Sequence, residues 1–201
     1  PALIQNVVHF MAEQDSLNAS VLGPDVAVGS AEFDLFVKEV HREITVKAGQ
    51  KCTAVRRVMV PDHLLDSVQA ALIERLANTP IGNPRHPDTR MGALVSLSQR
   101  RDVLEKAAQI GAEAECVFGE GDMPVVIDAN AEKGAFVAPR LFRCETPDQA
   151  QAVHDIEAFG PVSTLMGYRD ADHASQLLNR GQGSLGRARP RRARSRIWRK
   201  N

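Results

Sequence analysis

Apolar residues fall on one helical face over Ala31–Val46, at Phe33, Phe36, Val37, Val40 and Ile44, and the spacing predicts a helix that stops near Gly49. A second stripe, Leu64, Leu65, Val68, Leu72, Ile73 and Leu76, predicts a helix with Asp62 as its cap. Val103, Leu104, Ala107 and Ile110 place a third over Gln99–Gly111, and a fourth runs over Asp170–Asn179 to end near Gly181. Short apolar runs between them predict strands: Asn18–Leu22 closed by Gly23-Pro24-Asp25, Val55–Val60 ended by Pro61, Gly134–Phe142, and Val162–Met166 opened by Gly160-Pro161. Gly82–Asp88 reads as a proline-rich loop. Helices that alternate with short strands predict a three-layer α/β/α domain around a mainly parallel sheet.

Composition narrows the function classes. Of 201 residues, 43% are hydrophobic, enough for a packed core. Aromatics at 4% leave little for stacking on single-stranded nucleic acid. No apolar stretch approaches the roughly 18 residues of a membrane span, and Pro1-Ala2 opens without a basic, then apolar, leader. The three cysteines, Cys52, Cys116 and Cys144, are odd in number and widely spaced, which argues against a disulfide framework and fits a reducing compartment. Without a Cys-x-x-Cys pair no metal site is expected. A cytoplasmic protein with no nucleic-acid and no membrane partner is the expectation.

The net charge of zero hides two regions. From Arg187 onward lie eight basic residues and no acid, which leaves 17 basic against 25 acidic residues in the rest. The body is acidic and the tail, 186–201, is basic. A frameshifted or disordered end is the expected reading of that tail, with an arm for nucleic acid or acidic lipid as the alternative.

The chemistry centres on Lys47-Ala-Gly-Gln-Lys-Cys-Thr-Ala-Val-Arg-Arg57. A thiol acts as a nucleophile only as its thiolate, and positive neighbours favour that form. Cys52 has Lys51 beside it and Arg56 and Arg57 close by, in a glycine-containing turn whose backbone amides could point at a substrate oxygen. A lone cysteine is more often a small buried hydrophobe, and Cys116 and Cys144, in less charged settings, fit that description.

Gly-Gln-x-Cys-Thr-Ala followed by Arg-Arg resembles the catalytic-cysteine signature of the aldehyde dehydrogenase superfamily. Ile81-Gly-Asn-Pro84, Met91-Gly-Ala-Leu94, Gly134-x-Phe136 with Pro139-x-Leu141, and Glu157-Ala-Phe-Gly-Pro-Val162 resemble further segments in that family's order. The likeness runs from about Glu13 to Gly183. It implies the family's catalytic-domain fold, with Cys52 attacking an aldehyde and Glu13 as the base that activates water. It also implies Glu157 on the nicotinamide ribose hydroxyls, Phe159 beside the nicotinamide, and NADP or NAD as cofactor. Gln14 and Asp15 depart from the family's common Glu-Leu-Gly-Gly-Lys form. The sequence around Glu13, Cys52 and Glu157 is similar to the branch that oxidises aldehydes carried on CoA thioesters in phenylacetate and benzoyl-CoA breakdown. A small-molecule aldehyde, carried on a CoA thioester by the resemblance, is then the expected substrate, and a homo-oligomer the expected parent. Residues 1–18 are expected to end a cofactor-binding domain and residues 19–185 to form a catalytic domain incomplete at its C-terminal end. On that reading the chain is a fragment without turnover of its own.

Overall fold

The computed structural model describes residues 16–121 and 123–181. The base expected at Glu13 and the basic tail lie outside them. The elements run β1 (Ala19–Val21), α1 (Ala31–Thr45), a 3-10 turn (Val46–Gly49), β2 (Arg57–Pro61), a 3-10 turn (Asp62–Leu64), α2 (Leu65–Ala77) and β3 (Ile81–Gly82). There follow α3 (Leu97–Ile110), β4 (Glu115–Phe118), β5 (Val126–Ile127), β6 (Arg140–Cys144), α4 (Ala152–Asp155), β7 (Val162–Tyr168) and α5 (Ala171–Arg180).

The main sheet has the order β1-β2-β7-β6-β4. The first four strands are parallel, and β4 pairs antiparallel with β6 through an irregularity between Cys116 and Phe118. A separate two-stranded parallel sheet joins β3 and β5. Side chains alternate across the main sheet, so one strand feeds two cores. Val58 and Val60 of β2 and Leu165 of β7 pack with Phe36, Val40 and Ile44 of α1 and Val68 and Leu72 of α2. Met59 and Met166, on the other face, pack with Val103 and Ala107 of α3, Val153 of α4 and Leu177 of α5. Three layers follow, as the alternation of helices and strands predicts. Burial of a Phe, Val or Ile side chain contributes about 1.5–3 kcal/mol, and α1 alone buries five of them.

Capping sets where the helices begin. Ser30 Oγ accepts from Phe33 N at 3.2 Å, and Asp170 Oδ1 accepts from His173 N at 2.8 Å. Ser96 Oγ accepts from Gln99 N at 3.1 Å, which moves the start of α3 ahead of Gln99. Asp62 does not cap α2. A 3-10 turn intervenes and Leu64 occupies the cap position without a side-chain bond. Asp62 is instead packed against Gly167, where an added Cβ would meet Asp62 Oδ1 at 2.2 Å. The strand expected from Val55 begins two residues later. The Ala54 and Val55 carbonyls accept from the Asn18 and Ser163 side chains instead of joining the ladder. Nothing in the apolar pattern announces β4, a half-exposed edge strand, or the two-residue strands β3 and β5. Among the described residues no helix is long and apolar enough to cross a membrane, and no cluster of potential metal ligands occurs.

Candidate active site

Because β1, β2 and β7 are adjacent and parallel, the segments that precede them meet at one edge of the sheet. Those segments are Ser16–Asn18, Lys47–Arg56 and Glu157–Pro161. Cys52 and Glu157, 105 positions apart in the sequence, are brought to this amino edge by strand order alone.

Cys52 is exposed, in the turn that follows α1. The approach to it is unusual. Lys47, Ala48 and Gly49 have φ of 55°, 50° and 68°, three left-handed residues in a row, and for the two that carry a Cβ this costs about 1–3 kcal/mol each. Gly49 has a second constraint: an added Cβ would lie 2.1 Å from the Gly160 carbonyl oxygen. The cysteine loop and the Glu157–Pro161 loop therefore touch backbone to backbone.

Side chains hold this arrangement from several directions. Asn18 Nδ2 donates to the Cys52 carbonyl at 2.6 Å and to the Ala54 carbonyl at 3.1 Å. The Asn18 carbonyl accepts from the backbone N–H groups of Arg56 and Arg57. Gln50 Oε1 accepts from Val95 N at 2.9 Å, and Gln99 Nε2 donates to the Phe159 carbonyl at 3.1 Å, so the start of α3 contacts both loops. Arg56, 4% exposed, donates to the Gly160 carbonyl at 2.6 Å and the Gly49 carbonyl at 2.7 Å. Its Nε lies 3.4 Å from Glu157 Oε1 and its guanidinium stands 5.5 Å from the centre of the Phe159 ring.

The basic residues around Cys52 are thus engaged elsewhere, contrary to the picture of a thiol in an open positive turn. Lys51 pairs with Glu43 at 2.7 Å. Burial pulls the Arg56 guanidinium below its ordinary range, opposed by the charge and hydrogen bond of Glu157. Arg57 runs beneath the sheet edge into the core, where it donates to the Leu17 and Leu177 carbonyls at 2.9 Å and to His154 Nδ1 at 3.3 Å. The other two thiols are withdrawn: burial pushes both Cys116 and Cys144 up, away from the thiolate form.

Glu157 is 8% exposed. Its Oε2 accepts from Ser16 N at 2.9 Å, and its Oε1 accepts from Ser16 Oγ at 3.1 Å. Phe159 is half-buried at the same edge. Cys52, Glu157 and Phe159, each singled out in the sequence, therefore meet in one place. Asn18, Gln50, Gln99 and Ser16 were missed. Each is an uncharged polar residue whose partner lies 34 to 141 positions away, too distant in sequence for a local pattern to register.

The sequence profile of the aldehyde dehydrogenase family matches residues 6–188. The chain is 43% identical over 185 residues to the 3,4-dehydroadipyl-CoA semialdehyde dehydrogenase of Aromatoleum evansii, covering 92% of this chain and 36% of that protein. It is 48% identical over 97 residues to Protein MaoC of Klebsiella aerogenes, covering 47% of this chain and 27% of that one. Among solved structures, betaine aldehyde dehydrogenase from Staphylococcus aureus in complex with NAD+ superimposes with a TM-score of 0.75 at 30% identity, over 87% of this chain and 33% of that one. The chain spans about a third of the length of these relatives.

Proposed function

The chain belongs to the aldehyde dehydrogenase family, and on that premise we propose that Cys52 is the nucleophile of an NAD(P)-dependent oxidation of an aldehyde to its acid. One observation carries the reading: Cys52 is the exposed thiol of the three, and it stands where the loops before β1, β2 and β7 converge. Its thiolate would attack the aldehyde carbonyl carbon to give a thiohemiacetal. A nicotinamide dinucleotide, when bound, supplies the acceptor for the hydrogen and electron pair lost from that carbon. The thioacyl group left on Cys52 would then be released by water, with Glu13 as the proposed base.

Glu157 and Phe159 are the proposed contacts to the cofactor. A carboxylate has about four acceptor directions, and Ser16 and Arg56 occupy three on Glu157. Among the described residues one direction on Oε2 is left, which fits one ribose hydroxyl and not the two that the family resemblance implies, and the Phe159 ring beside it offers an apolar surface for a planar base. A CoA-linked semialdehyde from aromatic-compound breakdown is the proposed substrate. The support is the name of the relative that is 43% identical and the run Asp15-Ser-Leu-Asn-Ala-Ser-Val-Leu22 that resembles its branch. Residues 19–185 are proposed as the catalytic domain, and a cytoplasmic homo-oligomer as the parent enzyme.

The test is oxidation of a CoA-linked semialdehyde by the protein that carries this chain, followed through reduction of NADP or NAD. Cys52→Ala should abolish it, and retained oxidation in that variant would overturn the assignment. The span of a third of the relatives' length favours a second reading for the 201 residues alone, a domain that folds without turnover. Calorimetric titration separates the two, because tight NADP binding by the isolated chain would contradict the second.

A further inference from the structure

Arg56, buried like its neighbour Arg57, has no chemical step in the mechanism above, and its contacts are not those of a surface cation. Its planar fork reaches two carbonyls on two different loops, Gly49 at 2.7 Å and Gly160 at 2.6 Å. A third arm, Nε, faces Glu157 Oε1 at 3.4 Å, and the guanidinium lies against the Phe159 ring. One loop carries the thiol three residues beyond Gly49; the other carries the proposed cofactor contacts one and three residues before Gly160. Between the two carbonyls the backbones are in contact at Gly49, directly after the left-handed Lys47 and Ala48. A segment in that conformation persists only where its surroundings over-determine it, and Arg56 ties its end.

We propose that Arg56 is a positioning residue that fastens the Cys52 loop to the Glu157–Gly160 loop and so fixes the distance between nucleophile and cofactor contacts. The idea rests on the reading that both loops serve one dehydrogenase site. Lysine is not an equivalent. An ammonium lacks the planar fork, so it can keep the charge near Glu157 but not span the Gly49 and Gly160 carbonyls in the same geometry. Arg56 touches neither substrate nor the reacting atoms; it acts through Gly49 and Gly160.

The experiment uses the 201-residue chain as it stands, with Arg56→Met and Arg56→Lys. Backbone hydrogen exchange should rise at least about tenfold in both 47–54 and 157–161 in the Met variant, while α1, β2 and β7 keep wild-type protection. The Lys variant should lie between the two. Acylation of Cys52 by p-nitrophenyl acetate should slow at least about tenfold in Arg56→Met, whereas alkylation by iodoacetamide, which needs the exposed Cys52 thiolate but no positioned carbonyl, should change less than about twofold. Uniform loss of protection across the whole domain in both variants would reduce Arg56 to a general stabiliser and overturn the proposal. So would unchanged exchange in either loop, or equal slowing of acylation and alkylation. Should wild-type Cys52 resist acylation altogether, the nucleophile assignment fails, and the exchange measurement still decides the fastening of the two loops.

Discussion

Asn18 shows how much of the site depends on single polar side chains. It is 7% exposed, and its amide supplies a donor to both the Cys52 and the Ala54 carbonyls. Leaving a buried acceptor unpaired costs about 1–3 kcal/mol, so Asn18→Ala should lower stability by that amount in urea denaturation and slow acylation of Cys52. An unchanged urea midpoint would show that water or a rearranged loop replaces the amide. His154 makes a second residue-scale prediction. It is buried, with Nε2 donating to the Pro147 carbonyl and Nδ1 accepting from Arg57. Burial brings it down to about 4 from 6.5, with the nearby Arg57 charge adding to the effect and the bond to Pro147 opposing it. The unfolded chain therefore binds a proton near pH 6.5 that the folded chain refuses until about pH 4. Stability is fully present above pH 6.5 and falls as pH drops through that window. The difference amounts to about 3 kcal/mol at about 1.4 kcal/mol per pH unit. His154→Gln should flatten the stability profile between pH 6.5 and 4 relative to wild type, and parallel profiles would rule out His154 as the source.

At the scale of elements, the junction between α1 and β2 holds two of the three non-glycine residues with left-handed backbone among the described residues. Helix α1 ends at Thr45, and the chain turns through three left-handed residues to bring Cys52 to the sheet edge. Gly49→Ala would place a methyl group 2.1 Å from the Gly160 carbonyl at a φ that disfavours it. That loop should lose protection in hydrogen exchange while α1, its amino end capped by Ser30, and α2, packed with α1 in a core that does not include Ala48, keep theirs. Loss of protection through α1 as well would mean that the junction and the helix form one cooperative unit. The helices themselves were legible in the sequence, since a stripe such as Phe33, Phe36, Val37, Val40 and Ile44 is set by local periodicity. So were Cys52, Glu157 and Phe159, because short motifs carry them. The roles of Arg56, Arg57 and Asn18 were not. Arg56 bonds Gly160 from 104 positions away, and Arg57 bonds Leu177 from 120. Those meetings depend on β2 lying between β1 and β7, an order that no local pattern encodes. Strand β4 escaped for a related reason: Glu115-Cys-Val-Phe118 is short and half-exposed, and only its pairing with β6 makes it a strand.

For the molecule as a whole, the candidate site occupies the amino edge of the parallel sheet, whereas open α/β sheets usually hold ligands at the carboxyl ends of their strands. Helices cover both faces, so the edge is where a reactive thiol can stay exposed while its supports are buried. The supports cross the whole domain: Ser16 before β1, Arg56 before β2, Glu157 before β7 and Gln99 at the start of α3 converge within one hydrogen-bonded group. A nucleophile held in this way should act without the cofactor. The direct measurement is acylation of the 201-residue chain by p-nitrophenyl acetate, in which the Cys52 sulfur displaces p-nitrophenolate and keeps the acetyl group as a thioester. The account predicts a burst of about one equivalent of p-nitrophenolate, with the acetyl group mapped to Cys52 by mass spectrometry and lost in Cys52→Ala. A burst that survives in Cys52→Ala, or an acetyl group found on Cys116 or Cys144, would contradict it.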